Sequence, residues 1–494
     1  MRLSASLPLA AAVFAAVAPR AALAAHITNV ADAADKDTLL DVDVDVGFRH
    51  VVRSAKVTRE YHQKCGVAPY PDCPTGAPAN NNGEPLDITE LNYQDVLNAL
   101  DFRVAFGLWH DLEIHGGIPL VLSQNRSWTF GSVPDARTGA SSAVTADQST
   151  FVGLQHLDPS GVYHDNMSMP MLSVPGNSYR AGFMDPYIGI AWGPFNDDRE
   201  AKMSPDAFPN FRSSSTWVIG ADYTMPILTV DDPSLWGMAN TSGDAAAAQS
   251  RWNAISSSGA SGLGRGAHIL ELWTAVSKRV GLADPFMKLH FTWPIGLTGN
   301  AYDNCSFLKN HPDVQTANPQ LSDQAANNCA SPNGAGAGGW SAANTSFDPS
   351  YVGGMLLGTE LVPFEDEERH QKIAFDLRFG VDFISKGRNY SELSDGLGRL
   401  TATDQYVSMT GSLGFYARPT RFMHIRLGAS YGFETPHFVT GESPGHDLNN
   451  NGAVDLGGPE QNPIYDFRVD AVGTRARVEQ VTVFGLNATI AGNF

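Results

Sequence analysis

Beyond its N-terminal stretch, the chain has no apolar run of the roughly 20 residues that a membrane-spanning helix needs. Basic residues are scarce as well: 33 Lys and Arg stand against 52 Asp and Glu, giving a formal net charge of −19. No block of Lys and Arg is present that could neutralise nucleic-acid phosphates, so we expect no nucleic-acid partner. The four cysteines include no Cys-x-x-Cys pair, which argues against a zinc site or a thioredoxin-like redox motif.

The common catalytic signatures are missing too. The sequence contains no Gly-x-Ser-x-Gly, no His-Glu-x-x-His and no phosphate-binding glycine loop. His424 and Ser430 share one face of a predicted strand, but the extended chain between them separates the two side chains by roughly 20 Å. The other histidines are scattered along the chain. We therefore predict that the protein is not an enzyme and that it has no organic cofactor.

The N-terminus reads MRLSASLPLAAAVFAAVAPRAALAA and has the order of a secretory signal peptide. Arg2 supplies the positive charge, an apolar stretch follows, and a small-x-small cleavage pattern ends at Ala24. Pro19 interrupts the apolar stretch before it reaches the length of a spanning helix. We predict that residues 1–24 are a signal peptide and that residues 25–494 form a single domain.

An exported chain enters an oxidising compartment, where cysteines form disulfides. Four cysteines allow three pairings. Cys65 and Cys73 bracket a short segment, whereas Cys305 and Cys329 bracket a long, Asn-rich one. We favour the two local disulfides, Cys65–Cys73 and Cys305–Cys329.

Apolar and polar residues alternate with period two along much of the mature chain, as in strands that have one apolar face. In KIAFDLRFGVDF, the side chains of Phe375, Leu377 and Phe379 fall on one face, opposite Asp376 and Arg378. DFRVAFGLWHDLEIHGGIPLVL repeats the pattern on both sides of a short polar turn. This alternation predicts a sheet that separates an apolar environment from a polar one.

The strands predict an all-β fold, a closed antiparallel transmembrane β-barrel of about twelve strands, with roughly ten to sixteen admissible. No backbone group can stay unpaired in lipid, so a sheet that crosses a membrane must close on itself. Long segments alternate with mostly short turns, in phase with strand direction. This places long loops outside the cell, and short turns with both termini in the periplasm. The predicted strands lie near residues 40–52, 97–109, 112–122, 182–193, 215–227, 266–279, 285–295, 351–363, 371–385, 405–418, 421–435 and 481–494.

The terminal sequence FGLNATIAGNF resembles the assembly signal of Gram-negative outer-membrane β-barrels, which end on an aromatic residue. The segments GLWHDLEIHGGIPLVL and DPYIGIAWGPFNDDREAK, with WVIGADYTMPI, resemble outer-membrane transporters of the aromatic-degradation-pathway type. The first resemblance implies location in the outer membrane. It also implies contact with outer-membrane lipids and lipopolysaccharide, and insertion by the barrel-assembly machinery. The second resemblance implies transport of small solutes.

The inward face of the predicted barrel is charged, which indicates a wet or salt-bridged lumen, because unpaired charges are not tolerated in an apolar interior. Two interpretations remain open: an open pore with mild cation preference, and a plugged barrel in which these residues cross-link opposite walls. The predicted pore-lining residues are Asp101, Arg103, Asp376, Arg378, Asp382 and Arg426.

One outer segment carries the pattern of a calcium-binding loop. In DLNNNGAVD, the oxygen-bearing side chains of Asp447, Asn449, Asn451 and Asp455 occupy positions 1, 3, 5 and 9, with glycine at position 6. Gly458 stands where the bidentate glutamate of such loops is expected. Calcium is the one bound ion that the sequence suggests.

Two functions of different classes fit these observations. The first is a passive channel for small solutes, hydrophobic or aromatic compounds among them, which the polar lumen and the transporter resemblance favour. The second is a surface-display or envelope-organising barrel whose long loops bind partners without any transport, which the mass of the loops favours.

Overall fold

The fold is described from a computed structural model of the chain. The structure describes residues 25–28, 30–31, 41–61, 86–134, 141–143, 176–197, 215–233, 262–305, 340, 342–366, 369–455 and 459–493.

Strands dominate these residues, which also contain four short helices, His26–Thr28, Ala342–Thr345, Ser394–Leu397 and Phe467–Asp470. No helix in the described part of the chain is long and apolar enough to cross a membrane. The strands are, in chain order, β1 Val42–Tyr61, β2 Leu86–Trp109, β3 Leu112–Phe130, β4 Ser132–Pro134, β5 Ser141–Ala143, β6 Gly176–Phe183, β7 Tyr187–Asn196, β8 Ser215–Thr224, β9 Ala267–Lys278, β10 Ala283–Leu297, β11 Val352–Asp366, β12 Gln371–Ile384, β13 Gly387–Asn389, β14 Thr401–Thr403, β15 Tyr406–Thr420, β16 Met423–Glu434, β17 His437–Phe438 and β18 Ala476–Asn493.

Twelve long strands form a closed antiparallel barrel, which confirms the predicted fold class and strand number. Each pairs with its neighbours in the ring, and β1 pairs with β18 to close it, from Asp43 opposite Asn493 to Arg59 opposite Ala476. Closure leaves no unpaired strand edge, as lipid requires. The order around the ring is β1, β2, β3, β7, β8, β9, β10, β11, β12, β15, β16 and β18.

The wall is apolar outside and polar inside, as the alternation predicts. On β12, Phe375 and Leu377 are 49% and 46% exposed on the outer surface, whereas Asp376 between them is only 5% exposed. On β18, Leu486 and Ile490 likewise point outwards. Large apolar side chains on the outside of a closed sheet are stable only against another apolar medium.

Four strands, β1, β2, β3 and β18, rise beyond the rest at the outer end, the end opposite to the chain termini. The prediction ended the first strand near residue 52 and began the second near residue 97, whereas β1 runs to Tyr61 and β2 starts at Leu86. The outward face is polar at this height, with Asn92 and Gln94 exposed, so the apolar signal used for the prediction stops there. We call residues 55–61, 86–93, 124–130 and 476–480 the outer extension.

A folded segment, residues 387–403, lies across the outer mouth of the barrel and is called the lid below. It contains β13, β14 and the helix Ser394–Leu397, which Gly398 ends in a left-handed conformation with φ of 70°. The lid leaves the barrel between β12 and β15. Leu393 nevertheless packs against Val57, Leu91 and Trp128 of the outer extension, on the far side of the ring.

Residues 25–28, 30 and 31, called the N-terminal segment below, lie inside the inner mouth. Thr28 shares a hydrogen bond of 2.8 Å between its hydroxyl and that of Ser277, at the inner end of β9. The backbone N–H of Ala31 donates to Glu113 of β3 at 2.8 Å. Ala25, Thr28 and Ala31 are all buried, so both ends of the lumen are occupied by protein.

Candidate functional site

A cavity of about 550 Å³ lies in the lumen between the lid and the N-terminal segment. Its lining is mainly charged, with the carboxylates of Asp43, Asp45, Glu113, Asp222 and Glu271 and the cations Arg103, Lys288, Arg378 and Arg426. Inward-facing positions of nine different barrel strands contribute to it. A water-filled, charged interior is the feature that separates a channel-like barrel from a packed sandwich.

One half of the cavity wall is predominantly acidic. His115 lies between two carboxylates, with its Nδ1 2.8 Å from Glu113 and its Nε2 2.5 Å from Asp222. Trp273 donates its indole N–H to the second oxygen of Asp222 at 2.7 Å. Arg103 donates both to Glu113 and, at 3.2 Å, to Asp45. These bonds fix the acidic side chains in place without removing all of their charge.

The other half is predominantly basic. Arg378 and Arg426 both donate to the same oxygen of Asp376, Arg426 at 2.9 Å. Two guanidinium groups thus share one carboxylate. Lys288 lies 3.4 Å from Glu271 and 4.8 Å from the centre of the Trp273 ring, a cation–π distance.

Above the cavity, buried ion pairs fasten the lid to the outer extension and to β6. Asp395 of the lid accepts hydrogen bonds from Ser178 at 2.7 Å, from Arg180 at 2.6 Å and from Arg126 at 3.3 Å. Burial alone would raise the pKa of Asp395, but the charges of Arg180 and Arg126 hold this pKa well below its ordinary value. The carboxylate is therefore ionised in the closed lid.

A second carboxylate ties the lid to β1 and to β3. Glu392 forms an ion pair with Arg53, and its backbone carbonyl accepts the indole N–H of Trp128 at 2.8 Å. Burial opposes ionisation of Glu392, but the charge of Arg53 outweighs it and lowers the pKa of this carboxyl. The lid is thus held by charge as well as by apolar contacts.

A closed ring of strands with an apolar outside, a charged lumen and protein segments in both mouths decides the class of this protein. It is an outer-membrane β-barrel. Its apolar belt lies in the lipid of that membrane, and the polar residues on the other face of each strand line the lumen.

Solved outer-membrane proteins resemble this barrel only weakly. An outer membrane channel from Pseudomonas putida F1 is 11% identical, with a TM-score of 0.36, and the match covers 91% of this chain and 95% of that one. A Pseudomonas aeruginosa FadL homologue is 8% identical, with a TM-score of 0.25, covering 92% of this chain and 90% of that one. The outer membrane protease OmpT from Escherichia coli is 10% identical, with a TM-score of 0.25, covering 92% and 97%.

No protein-family model and no curated protein matches the chain. The similar structures include channels and a protease. Likenesses with such low TM-scores carry no argument about function, so the description of the outer-membrane barrel rests on its own strand pairing and lumen.

Of the six predicted pore-lining residues, three line the cavity: Arg103, Arg378 and Arg426. Asp376 lies behind Arg378 and Arg426 and forms ion pairs with both. Asp101 and Asp382 also lie on inward-facing positions, but they pair elsewhere in the lumen, with Arg49 at 3.1 Å and with His290 at 3.2 Å.

His115 and Trp273 were not among the predicted site residues, although they organise the acidic half of the cavity. Alternation along β3 places His115 on the same face as Glu113, and this signal was present in the sequence. The contact of Trp273 with Asp222 depends on the register of β8 against β9, which the sequence pattern does not specify.

The predicted calcium loop is folded around its own backbone. Asp447 accepts two backbone N–H groups of the turn at 2.8 and 3.1 Å, and the Asn449 amide donates to Asp455 at 3.1 Å. Glu460 supplies the carboxylate that position 12 lacks and accepts three backbone N–H groups of the loop at 2.9–3.0 Å. In the residues that the structure describes, no group of three or more His, Cys, Asp or Glu is arranged to hold a metal. Calcium at Asp447, Asn449, Asn451 and Asp455 stays a prediction.

The predicted disulfides stay predictions as well. Cys305 is buried in the segment that follows β10. Cys65, Cys73 and Cys329 lie outside the described residues.

Proposed function

We propose that this outer-membrane barrel is a passive channel for small polar solutes. The observation that carries the proposal is the charged cavity of about 550 Å³ in the lumen, between the lid and the N-terminal segment. In a barrel that served only as an anchor, charged groups that face the lumenal cavity would not add stability, since each of them must be hydrated or paired. The lining favours polar solutes over hydrophobic ones.

Passage through the lumen requires the lid and the N-terminal segment to move aside. The lid is continuous with β12 and β15 only through the residues at its two ends, and its other contacts are non-covalent. Segment movements of this kind take place on microsecond to millisecond timescales. We therefore expect intermittent openings and a low mean conductance.

The purified, refolded protein is expected to conduct in planar bilayers with mild preference for cations, because the cavity lining carries five carboxylates against four Arg and Lys. The preference should weaken with salt, since the screening length falls from about 10 Å at 0.1 M to about 3 Å at 1 M. Replacing Glu271 with Gln should lower the preference, and the matched Lys288→Gln should raise it. Reversal potentials in a salt gradient measure the preference for cations over anions. Absence of current at every salt concentration would reject the channel and leave the loop-presenting anchor.

We infer that the barrel has no catalytic activity. His424 lies 3.9 Å from Asp45 at the inner end of β16, whereas Ser430 pairs with Ser412 and Gly485 further along the same strand. A nucleophile and its base need hydrogen-bond contact. Hydrolysis of peptide or ester substrates by the purified protein, lost on changing His115 to Gln, would contradict this inference.

We propose further that the loop from Asp447 to Glu460 binds one Ca²⁺, with Glu460 as the additional carboxylate. The ion would replace the backbone N–H groups as partner of Asp447, and Asn449 would release Asp455. Calcium should then raise the thermal midpoint of the wild-type protein relative to EDTA, and Asp447→Asn should abolish the rise. Titration calorimetry that detects no heat at millimolar calcium would count against the site.

The route to the membrane is proposed as follows. Cleavage after Ala24 removes the signal peptide, the barrel-assembly machinery inserts the chain, and Cys65–Cys73 and Cys305–Cys329 form disulfides. Intact-mass measurement of the mature protein, before and after reduction and alkylation, tests cleavage and disulfide formation, and the masses of non-reduced peptides identify the paired cysteines. A mass that retains the leader, or alkylation without reduction, would reject the corresponding step.

A further inference from the structure

We infer that the lumenal cavity selects small zwitterionic solutes, which carry one positive and one negative group. The inference rests on the proposed channel function and specifies its substrate class. It follows from where the charges lie around the ring, as well as from their number.

Carboxylates and cations of the cavity face each other across the lumen. In a ring of twelve strands, two strands that are six places apart lie on opposite sides. Glu113 is on the third strand of the ring and Arg378 on the ninth. Asp222 is on the fifth strand and Arg426 on the eleventh.

A third pair has the same arrangement, since Asp45 is on the first strand of the ring and Lys288 on the seventh. The three acidic members occupy one half of the ring and the three basic members the other half. Charges separated in this way produce a field across the lumen, and low-dielectric walls strengthen such a field.

Local pairing leaves part of this charge in place. Arg378 and Arg426 share the single carboxylate of Asp376, so the basic half keeps an excess of one positive charge there. On the acidic half, the carboxylates of Asp45 and Glu113 share one guanidinium, that of Arg103. Each half can therefore attract an ion of the opposite sign.

A zwitterion can satisfy both halves at once. Its carboxylate can lie against the guanidinium groups of Arg378 and Arg426, and its cationic group against Asp222, whose side chain is 24% exposed. A simple cation or anion is attracted by one half and repelled by the other, and an apolar solute would remove water from charged groups without replacing it. A volume of about 550 Å³ is within the range of small-molecule sites.

Swelling rates of proteoliposomes with matched solutes test this inference. Glycine betaine is the zwitterion, choline the cation, isovalerate the anion, and erythritol the neutral reference. We expect betaine to enter roughly fivefold faster than choline or isovalerate, which corresponds to about 1 kcal/mol. Equal rates for all four solutes would overturn the inference while leaving the channel intact, whereas entry of no solute would reject the channel itself.

Variants add the second arm of the test. Arg426→Gln should remove most of the preference for betaine over choline when each rate is expressed relative to that of erythritol in the same proteoliposomes, and Asp376 keeps Arg378 as its partner. Lys288→Gln should act in the same direction and serves if Arg426→Gln fails to fold. Arg369→Gln removes an equal charge from a side chain that is 76% exposed on an inner turn, and it should change nothing. A betaine preference that survives in both lumenal variants would overturn the inference.

Discussion

Asparagine in place of Asp395 is expected to destabilise the closed lid by about 3–5 kcal/mol, the usual effect of breaking a buried ion pair. Asp395 and Arg180 are each about 1% exposed, and the substitution leaves Arg180 and Arg126 in the interior without this carboxylate. The barrel wall itself is untouched. Openings in planar bilayers should therefore become longer and more frequent, while heat-modifiable gel mobility, the signature of the folded barrel, is retained.

The matched control is Asp404→Asn, which changes an exposed carboxylate immediately after the lid. It should leave the open fraction unchanged. An Asp395→Asn protein with wild-type openings would show either that the lid does not close the lumen or that this cluster does not hold it.

The same cluster fixes the response of the lid to pH. The pKa of Asp395 is depressed in the folded protein, so its stabilising contribution is fully present above the ordinary pKa of about 3.9 and declines as the pH falls below that value. The open fraction of the wild-type channel should accordingly be constant from about pH 8 to about pH 5 and rise only in stronger acid.

Leu377→Arg is expected to destabilise the whole barrel by about 2–4 kcal/mol, the cost of an arginine on the lipid face near the midplane of a transmembrane barrel. Leu377 lies at the middle of β12 between the outward-facing Phe375 and Phe379. Urea titration of the protein folded in lipid vesicles measures the loss. Asp382→Asn, on the inward face of the same strand, should be nearly neutral, because Asp382 is 38% exposed and its 3.2 Å contact with His290 is only partly buried.

Asp376→Asn would be a poor control, although it is adjacent to Leu377. Asp376 balances Arg378 and Arg426, so its loss would leave two guanidinium groups facing each other in a half-buried position. Equal damage from Leu377→Arg and Asp382→Asn would mean that the assigned faces of β12 are wrong.

The barrel wall was predictable because the membrane imposes one rule on every strand: apolar side chains face the lipid and polar side chains face the lumen. Phe375, Asp376 and Leu377 alternate in exposure as they alternate in polarity, and the same holds for the last strand up to Ile490. The rule fails in the outer extension, where the outward face of the strands meets water and the inward face packs against the lid. Strand ends such as Tyr61 and Leu86 therefore could not be read from apolar periodicity.

The lid and the occupied inner mouth were not predictable, because they depend on contacts between residues far apart in sequence. Arg180 meets Asp395 across 215 positions, and Thr28 meets Ser277 across 249. The cavity was predictable in part. Alternation indicates that Glu113 and Asp222 face the lumen, but only the closed order of strands places them opposite Arg378 and Arg426.

Solute passage through the charged cavity is tested most directly by the current through a protein that carries Thr224→Cys. Thr224 lines the cavity at the end of β8, while Ile219 on the same strand points to lipid. A charged thiosulfonate reagent should reduce the current of Thr224→Cys and leave Ile219→Cys and the wild-type protein unchanged. A Thr224→Cys channel whose current is unaffected after confirmed labelling would contradict passage through the cavity.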